Sequence, residues 1–283
     1  MQKPKMLLIL GGLRIGDTFH IIPFLKKACE KYHVHWIHGA YAKHAVEFIR
    51  DHIVGMDISN EVRPELKSLP GGYPDVKEFA LLNMQDIDQS AYDVVVPPLE
   101  KIDVWFPDLV CPNMTHTKFN IAGVEFDRRT DAICALKNST DKRGQCKHVV
   151  VQPTTVSAWK SSNALYCLGI DIFNGLTVYN VGAEKERTLV GVGNLVVKNG
   201  CSFEEVARLL MSCAFAVTLH SAVACLAYHL GTPLICCSFM AKAFPFQIGR
   251  PNNTMLITPT RNALEDTIKD YMQNPRKHIK EAS

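Results

Sequence analysis

Short apolar runs recur along the chain. Each is followed by a glycine, proline or polar turn and then by a segment whose apolar residues have helical spacing. This strand–turn–helix cycle predicts parallel sheets with helices on both faces, the doubly wound α/β class. The predicted strands are residues 5–10, 34–37, 92–96, 148–152, 176–180, 214–219 and 233–237.

The predicted helices continue the same cycle. Ser202 and Glu205 form a capping-box pattern, which predicts that a helix begins after Ser202. Residues 61–73 contain two prolines and two glycines, and we predict a loop there. The inner face of the capped helix would carry Phe203, Val206 and Leu210. The other predicted helices cover residues 17–32, 41–51 and 261–271.

The length of the chain indicates more than one domain. Its 283 residues exceed what one hydrophobic core usually supports. The polar segment 138–147 precedes a strong new strand and marks the predicted boundary. We therefore divide the chain into residues 1–145, residues 146–260, and a helix and tail at 261–283 that we expect to pack back toward the first domain.

Charge and cysteine content narrow the class of protein. The 31 basic and 28 acidic residues give a net charge of +3, which by itself does not argue for nucleic acid. None of the ten cysteines falls in a C-x-x-C pair, which disfavours a disulfide framework or zinc site and favours the cytoplasm. No apolar run reaches membrane length, and the apolar start predicts a strand rather than a signal peptide.

The first candidate site follows the first predicted strand, where a glycine turn leads into a helix. Backbone N–H groups and the Asp17 carboxylate would lie at the carboxyl edge of a parallel sheet, where α/β proteins bind ligands. The glycine pattern is not G-x-G-x-x-G, which weakens the case for dinucleotide binding. From local chemistry alone, Asp17 either caps the helix or serves a ligand.

Residues 16–25, with the pattern G-D-x-x-H-x-x-P-x-L, resemble the N-terminal signature of glycosyltransferase family 9, the bacterial heptosyltransferases. The resemblance implies that Asp17 takes the proton from an acceptor hydroxyl as that hydroxyl attacks the anomeric carbon. We expect His20 to pack or hydrogen-bond rather than to act as a second base. Gly16 and Arg14 are candidate contacts to phosphate or acceptor, although Arg14 could equally face solvent.

Residues 152–160, QPTTVSAWK, resemble the family segment in which small hydroxyl residues precede a lysine beside a tryptophan. The resemblance implies that Thr154, Thr155 and Lys160 contact the donor diphosphate, with Lys160 also in a catalytic role. Negative charge grows on the leaving phosphate, and an enzyme without a metal must neutralise it with fixed donors and a cation. A solvated loop with one lysine is the alternative.

Residues 178–187, VYNVGAEKER, resemble the family's strand–glycine–E-x-E-R segment. A carboxylate just beyond a parallel strand can accept hydrogen bonds from both hydroxyls of a ribose. Glu184 is the first candidate for this role and Glu186 the second. Either could instead be a surface charge.

The longest match covers residues 202–239 and resembles the family's helix, strand, D-[ST]-G-P-x-H-x-A turn and L-G-x-P ending. The turn would aim backbone N–H groups at the diphosphate, which makes His220, Ser221 and Ala222 donor-binding candidates. Backbone donation survives changes of side chain, but side-chain roles do not, so donor identity and activity stay open. The departures are His220 for the aspartate, Ala222 for the glycine, Val223 for the proline and Cys225 for the histidine.

The four segments together predict the GT-B architecture, two Rossmann-like domains with parallel sheets facing a cleft. Residues 1–145 would form the acceptor side and residues 146–260 the nucleotide-sugar side. The resemblance implies an inverting transfer from a nucleotide-diphosphate sugar to an acceptor hydroxyl, without metal or cofactor. The expected acceptor is a glycan, a lipid-linked sugar or a modified DNA base.

Three alternatives to that activity stay open. A phage- or viral-type enzyme that glycosylates a modified DNA base would need a basic acceptor face, yet acidic and basic residues balance in the first half. A catalytically inactive nucleotide- or sugar-binding protein would fit the histidine at position 220. A nucleotide-sugar epimerase shares the architecture.

Overall fold

A computed structural model divides the chain into two compact units, Met1–Lys137 and Asn138–Ser283. The predicted boundary after residue 145 falls in the segment 132–146, which lies outside the described residues and leaves that prediction open. The structure describes residues 3–10, 15–53, 57–63, 88–96, 118–127, 131, 147–154, 165, 168, 172–173, 175–238, 253–257 and 259–274.

The described strands of the first unit form a four-stranded parallel sheet in the order β3-β2-β1-β4. In β1, one of the two inner strands, Met6, Leu7 and Leu8 are fully buried, as expected of a parallel strand covered on both faces. The strands are β1 (Lys5–Leu10), β2 (His33–Gly39), β3 (Ile58–Arg63) and β4 (Val94–Val96). A separate antiparallel hairpin pairs β5 (Lys118–Ile121) with β6 (Val124–Asp127).

The helices of the first unit are α1 (Ile15–His20), α2 (Ile22–Lys31) and α3 (Lys43–His52) among the residues described. The single helix predicted over 17–32 is therefore two helices, interrupted at Ile21. Pro23 stands in the first turn of α2, and proline cannot continue a preceding helix because it lacks the N–H and clashes with the carbonyl four residues back.

The described strands of the second unit form a six-stranded parallel sheet in the order β12-β11-β10-β7-β8-β9. Numbered from β7 and read from the β9 edge, this is the Rossmann order 3-2-1-4-5-6. The strands are β7 (His148–Gln152), β8 (Thr177–Gly182), β9 (Leu195–Asn199), β10 (Ala216–Leu219), β11 (Leu234–Ser238) and β12 (Asn253–Ile257). The helices described here are α4 (Phe203–Ser212), α5 (Ala222–His229) and α6 (Arg261–Gln273).

The capping box at the start of α4 is confirmed. The Ser202 hydroxyl accepts from the Glu205 backbone N–H at 3.2 Å, and the Glu205 carboxylate accepts from the Ser202 N–H at 3.1 Å. Val206 and Leu210 are buried as predicted, whereas Phe203 is only half-buried.

Helix α6 packs its apolar face within the second unit, and the expected packing of segment 261–283 toward the first domain stays a prediction. Its buried residues Leu264, Ile268 and Tyr271 lie in the core of the second unit with side chains from β7, β8, β10 and β11. The Tyr271 hydroxyl donates to the Leu234 carbonyl oxygen at 3.3 Å. The apolar face of α6 is therefore used within its own unit, and residues 275–283 of the predicted C-terminal segment lie outside the described part of the chain.

The predicted loop over 61–73 is wrong at its start, because β3 extends through Arg63; residues 64–73 lie outside the described part. Both β3 and β9 are edge strands with mostly half-buried or exposed side chains, so neither shows the continuous apolar run of an inner strand. Within the described ranges, none of the helices has the length and apolar content to cross a bilayer.

Candidate functional site

The second unit has its topological switch point between β7 and β10. Neighbouring strands there connect onward to opposite edges of the sheet, and α/β sheets bind ligands in the crevice at the carboxyl ends of such strands. Residues 153–154 follow β7 at this edge, and residues 220–222 follow β10. Two of the sequence-predicted segments are thereby placed on adjacent strands.

Ser221 joins the two strands of the switch point and also starts α5. Its extended backbone makes it the N-cap, and its hydroxyl accepts from the Ala224 N–H at 3.4 Å. The same hydroxyl donates to the Gln152 Oε1 in a short hydrogen bond. Because Gln152 ends β7 and is buried, this contact fixes the turn after β10 to the end of β7.

The first turn of α5 provides backbone donors at the same edge. The Ala224 N–H goes to the Ser221 hydroxyl, and the Cys225 N–H goes to the Ser221 carbonyl oxygen at 3.0 Å. The N–H groups of Ala222 and Val223 have no acceptor within the helix, as is general for the first residues of an α-helix. With the positive end of the helix dipole, they are suited to an anion.

The positions that depart from the family turn differ in exposure. Cys225, in place of the histidine, is 2% exposed inside α5 and presents no side chain to a ligand at the sheet edge. His220 and Ala222 are half-buried, and the His220 backbone N–H donates to the Cys237 carbonyl oxygen at 3.1 Å. One polar group here was missed from the sequence: the Thr218 hydroxyl is buried with no hydrogen-bond partner among the described residues. Thr218 pairs in register with Gln152.

Thr154 lies at the predicted edge, but its hydroxyl already donates a hydrogen bond within the protein. It is 7% exposed and donates to the Arg187 carbonyl oxygen at 3.2 Å, which links the end of β7 to the loop after β8. Thr155 and Lys160 lie outside the described residues. Their contact with a diphosphate stays a prediction.

The loop after β8 is held by two asparagines that the sequence analysis did not select. The Asn180 Oδ1 accepts from the Leu189 N–H at 3.0 Å, and its Nδ2 donates to the Asn199 Oδ1 at 2.9 Å. Asn199 in turn donates to the Glu186 carbonyl oxygen at 2.8 Å. A clue was present, since Asn180 stands in an apolar strand where asparagine is disfavoured.

The two carboxylates of that loop face different surroundings. Glu184 is exposed, whereas the Glu186 side chain turns inward and its Oε2 is buried. A Cβ on Gly182 would stand 2.3 Å from that oxygen, so glycine leaves the room that the Glu186 carboxylate occupies. Glu186 is thus partly withdrawn from solvent, whereas Glu184 is exposed to it.

In the first unit, the topological switch point of the sheet lies between β1 and β4, and α1 follows β1. Gly16 and Asp17 lie in the first turn of α1, at the predicted sheet edge, although the structure describes only the backbone of Asp17. His20 is 8% exposed at the end of α1, which suits the predicted packing role. Arg14 lies outside the described residues. In the described ranges, no three His, Cys, Asp or Glu side chains converge as a metal site.

Comparison with known proteins identifies the fold but not a family. No protein-family model and no curated protein matches the chain. The Escherichia coli heptosyltransferase WaaC, solved with ADP, superposes with a TM-score of 0.57 at 16% identity, covering 94% of this chain and 99% of that one. A glycosyltransferase family 9 protein from Veillonella parvula gives 0.56 at 13%, covering 99% and 97%.

A protein from Listeria monocytogenes assigned as a UDP-N-acetylglucosamine 2-epimerase also superposes, with a TM-score of 0.54 at 11% identity, covering 100% of this chain and 91% of that one. Since all these identities are low, the likeness establishes the fold alone. The predicted α/β class, with two parallel Rossmann-like sheets of the GT-B type, is confirmed.

Proposed function

We propose that the protein is a metal-independent, inverting glycosyltransferase that moves a sugar from a nucleotide-diphosphate donor to an acceptor hydroxyl. The observation that carries the proposal is the Ser221 turn, which joins β7 to β10 and presents backbone donors at the switch point of the second unit. Heptosyltransferases with the same fold, one of them solved with ADP, support this choice of donor.

On the donor side, the leaving diphosphate gains negative charge as the glycosidic bond breaks. The N–H groups of Ala222 and Val223 and the dipole of α5 would stabilise that charge, with Lys160 as the predicted cation. A protonated His220 would add a second positive charge beside the turn. Glu184, exposed after β8, would accept hydrogen bonds from the ribose hydroxyls.

On the acceptor side, Asp17 would take the proton of the attacking hydroxyl. Its place in the first turn of α1, after the inner strand β1 of the first sheet, supports this role. The hydroxyl oxygen forms a bond to the anomeric carbon while the bond to the diphosphate oxygen breaks. The configuration at that carbon is then inverted.

A donor screen followed by one substitution tests the proposal. Nucleoside diphosphates and their sugar conjugates are ranked by the rise in thermal midpoint, because a ligand that binds only the folded state stabilises it. Transfer from the best donor to candidate acceptors is then measured for wild type, Asp17→Asn and Asp266→Asn. Asp266 is a matched control, exposed on α6.

We expect Asp17→Asn to slow transfer by about 10²-fold or more, the usual range for a general base, without changing the midpoint rise given by the donor. Asp266→Asn should leave both unchanged. Equal transfer rates for wild type and Asp17→Asn would remove Asp17 from the mechanism. If no nucleotide raised the thermal midpoint, the proposed donor site would be rejected.

A nucleotide-sugar epimerase is the second candidate, favoured by the superposition with the Listeria monocytogenes protein over the whole chain. The two activities differ in their need for an acceptor. Conversion of the donor sugar to its epimer with no acceptor added would establish the epimerase and reject transfer.

A further inference from the structure

Three polar residues meet at the amino edge of the first sheet, at the opposite end of the strands from Asp17 and the start of α1. His33 begins β2, Asp57 directly precedes β3, and Ser59 is the second residue of β3. The His33 Nδ1 is 2.7 Å from the Asp57 Oδ1, and the His33 Nε2 is 3.1 Å from the Ser59 Oγ.

The chemistry of these groups fixes the direction of the first hydrogen bond, and the protonation of the ring sets the direction of the second. An ionised carboxylate can only accept, so His33 donates from Nδ1 to Asp57. In the neutral ring, Nε2 is then an acceptor, and the Ser59 hydroxyl donates to it. This is the proton arrangement that activates a serine nucleophile: a base within hydrogen-bond reach, oriented by a third group.

The pairing of β2 with β3 holds the three residues in place. Val34 pairs with Ile58, and its N–H donates to the Asp57 carbonyl oxygen at 3.1 Å. By this register, His33 lies beside Asp57 and diagonally across from Ser59. Asp57 and Ser59 are two positions apart, so their side chains point to the same face of the sheet. The Lys3 ammonium lies 3.7 Å from the second Asp57 oxygen.

A cavity lies directly beside this serine and histidine. Its volume is about 170 Å³, below the range of pockets for drug-sized ligands, so it has room only for a small ester. The residues that line it are Ser59, His33, His35, Lys5, Ala91 and Tyr92. Lys5, a cationic residue, is among the residues that line the cavity.

We propose that Ser59, His33 and Asp57 form a second, nucleophilic site that cleaves small esters, independent of sugar transfer. The Ser59 Oγ forms a bond to the ester carbonyl carbon and its proton passes to the His33 Nε2. The bond to the alcohol oxygen then breaks, and the alcohol leaves with that proton. Water, deprotonated by His33, releases the acid and restores Ser59. Asp57 is a positioning residue in this sequence.

A fluorophosphonate probe tests the nucleophile on the full chain. The Ser59 Oγ–phosphorus bond forms, the phosphorus–fluorine bond breaks, and mass spectrometry locates the adduct. We expect one adduct per chain, at Ser59, that is absent from Ser59→Ala and forms about 10²-fold more slowly in His33→Gln, because general base catalysis contributes on that scale. Ser90 is an internal control, since its hydroxyl donates to Asp88 without a histidine in the pair.

Any of three labelling results would overturn the proposal: no adduct on Ser59, an adduct on Tyr92 or Ser90 in its place, or equal labelling rates in wild type and His33→Gln. Thermal melting checks that each variant is folded, and Asp57→Asn provides a second variant, also expected to label slowly. With p-nitrophenyl acetate, wild type should accumulate an acetyl group on Ser59. Turnover that persists in Ser59→Ala at the wild-type rate would also reject the proposal.

Discussion

Replacement of Ser221 by alanine removes a hydroxyl that caps α5 and links the residues after β10 to the end of β7. The Ser221 Oγ accepts from the Ala224 N–H as the N-cap of α5, and it donates to the Gln152 side chain at the end of β7. Ser202 is a matched control on α4. It is also an N-cap serine, but its partners are exposed.

The expected loss of stability differs between the two sites. Removal of an N-cap hydroxyl costs about 1 kcal/mol, and this is the whole effect expected for Ser202→Ala. Ser221→Ala also leaves the Gln152 Oε1 without its donor, and Gln152 is only 5% exposed. A buried acceptor left unsatisfied adds roughly 1–3 kcal/mol, so the total for Ser221→Ala is about 3 kcal/mol.

Equilibrium unfolding in urea measures both variants. With an unchanged slope, the transition of Ser221→Ala should fall to a clearly lower urea concentration than that of Ser202→Ala, by an amount equivalent to about 2 kcal/mol. Ser221→Thr, which keeps the hydroxyl, should recover most of the loss. Equal losses for Ser221→Ala and Ser202→Ala would refute the contact with Gln152 as a stabilising link across the switch point.

Two further predictions concern a buried amide and a histidine. Asn180→Ala leaves the buried Leu189 N–H without an acceptor, and we expect a loss of about 1–3 kcal/mol in urea unfolding. We also expect faster proteolysis within residues 183–193. Unchanged cleavage would contradict the role of Asn180 in holding that loop. Burial lowers the pKa of His148 in the folded state below its ordinary value of 6.5. The unfolded chain therefore binds the proton more readily, and stability should fall as pH decreases through 6.5 toward the lowered pKa. His148→Gln should reduce this acid sensitivity, and an identical dependence on pH in wild type and variant would contradict the assignment.

The inner strands of both sheets were predictable from the sequence. Strands such as β1, β7 and β11 are buried on both faces, so each one contains a continuous apolar run. The capping box of α4 was equally visible, because all of its groups lie within four residues. Such signals are local, so they can be recognised in the sequence alone.

Edge strands and contacts between strands required the tertiary structure. The edge strands β3 and β9 carry polar or exposed residues, and only their hydrogen bonds to β2 and β8 make them strands. The bond from Ser221 to Gln152 joins residues 69 positions apart, and the one from His33 to Ser59 spans 26. Apolar periodicity specifies which residues must be buried, but the order of strands in the sheet decides which polar side chains meet at its edges.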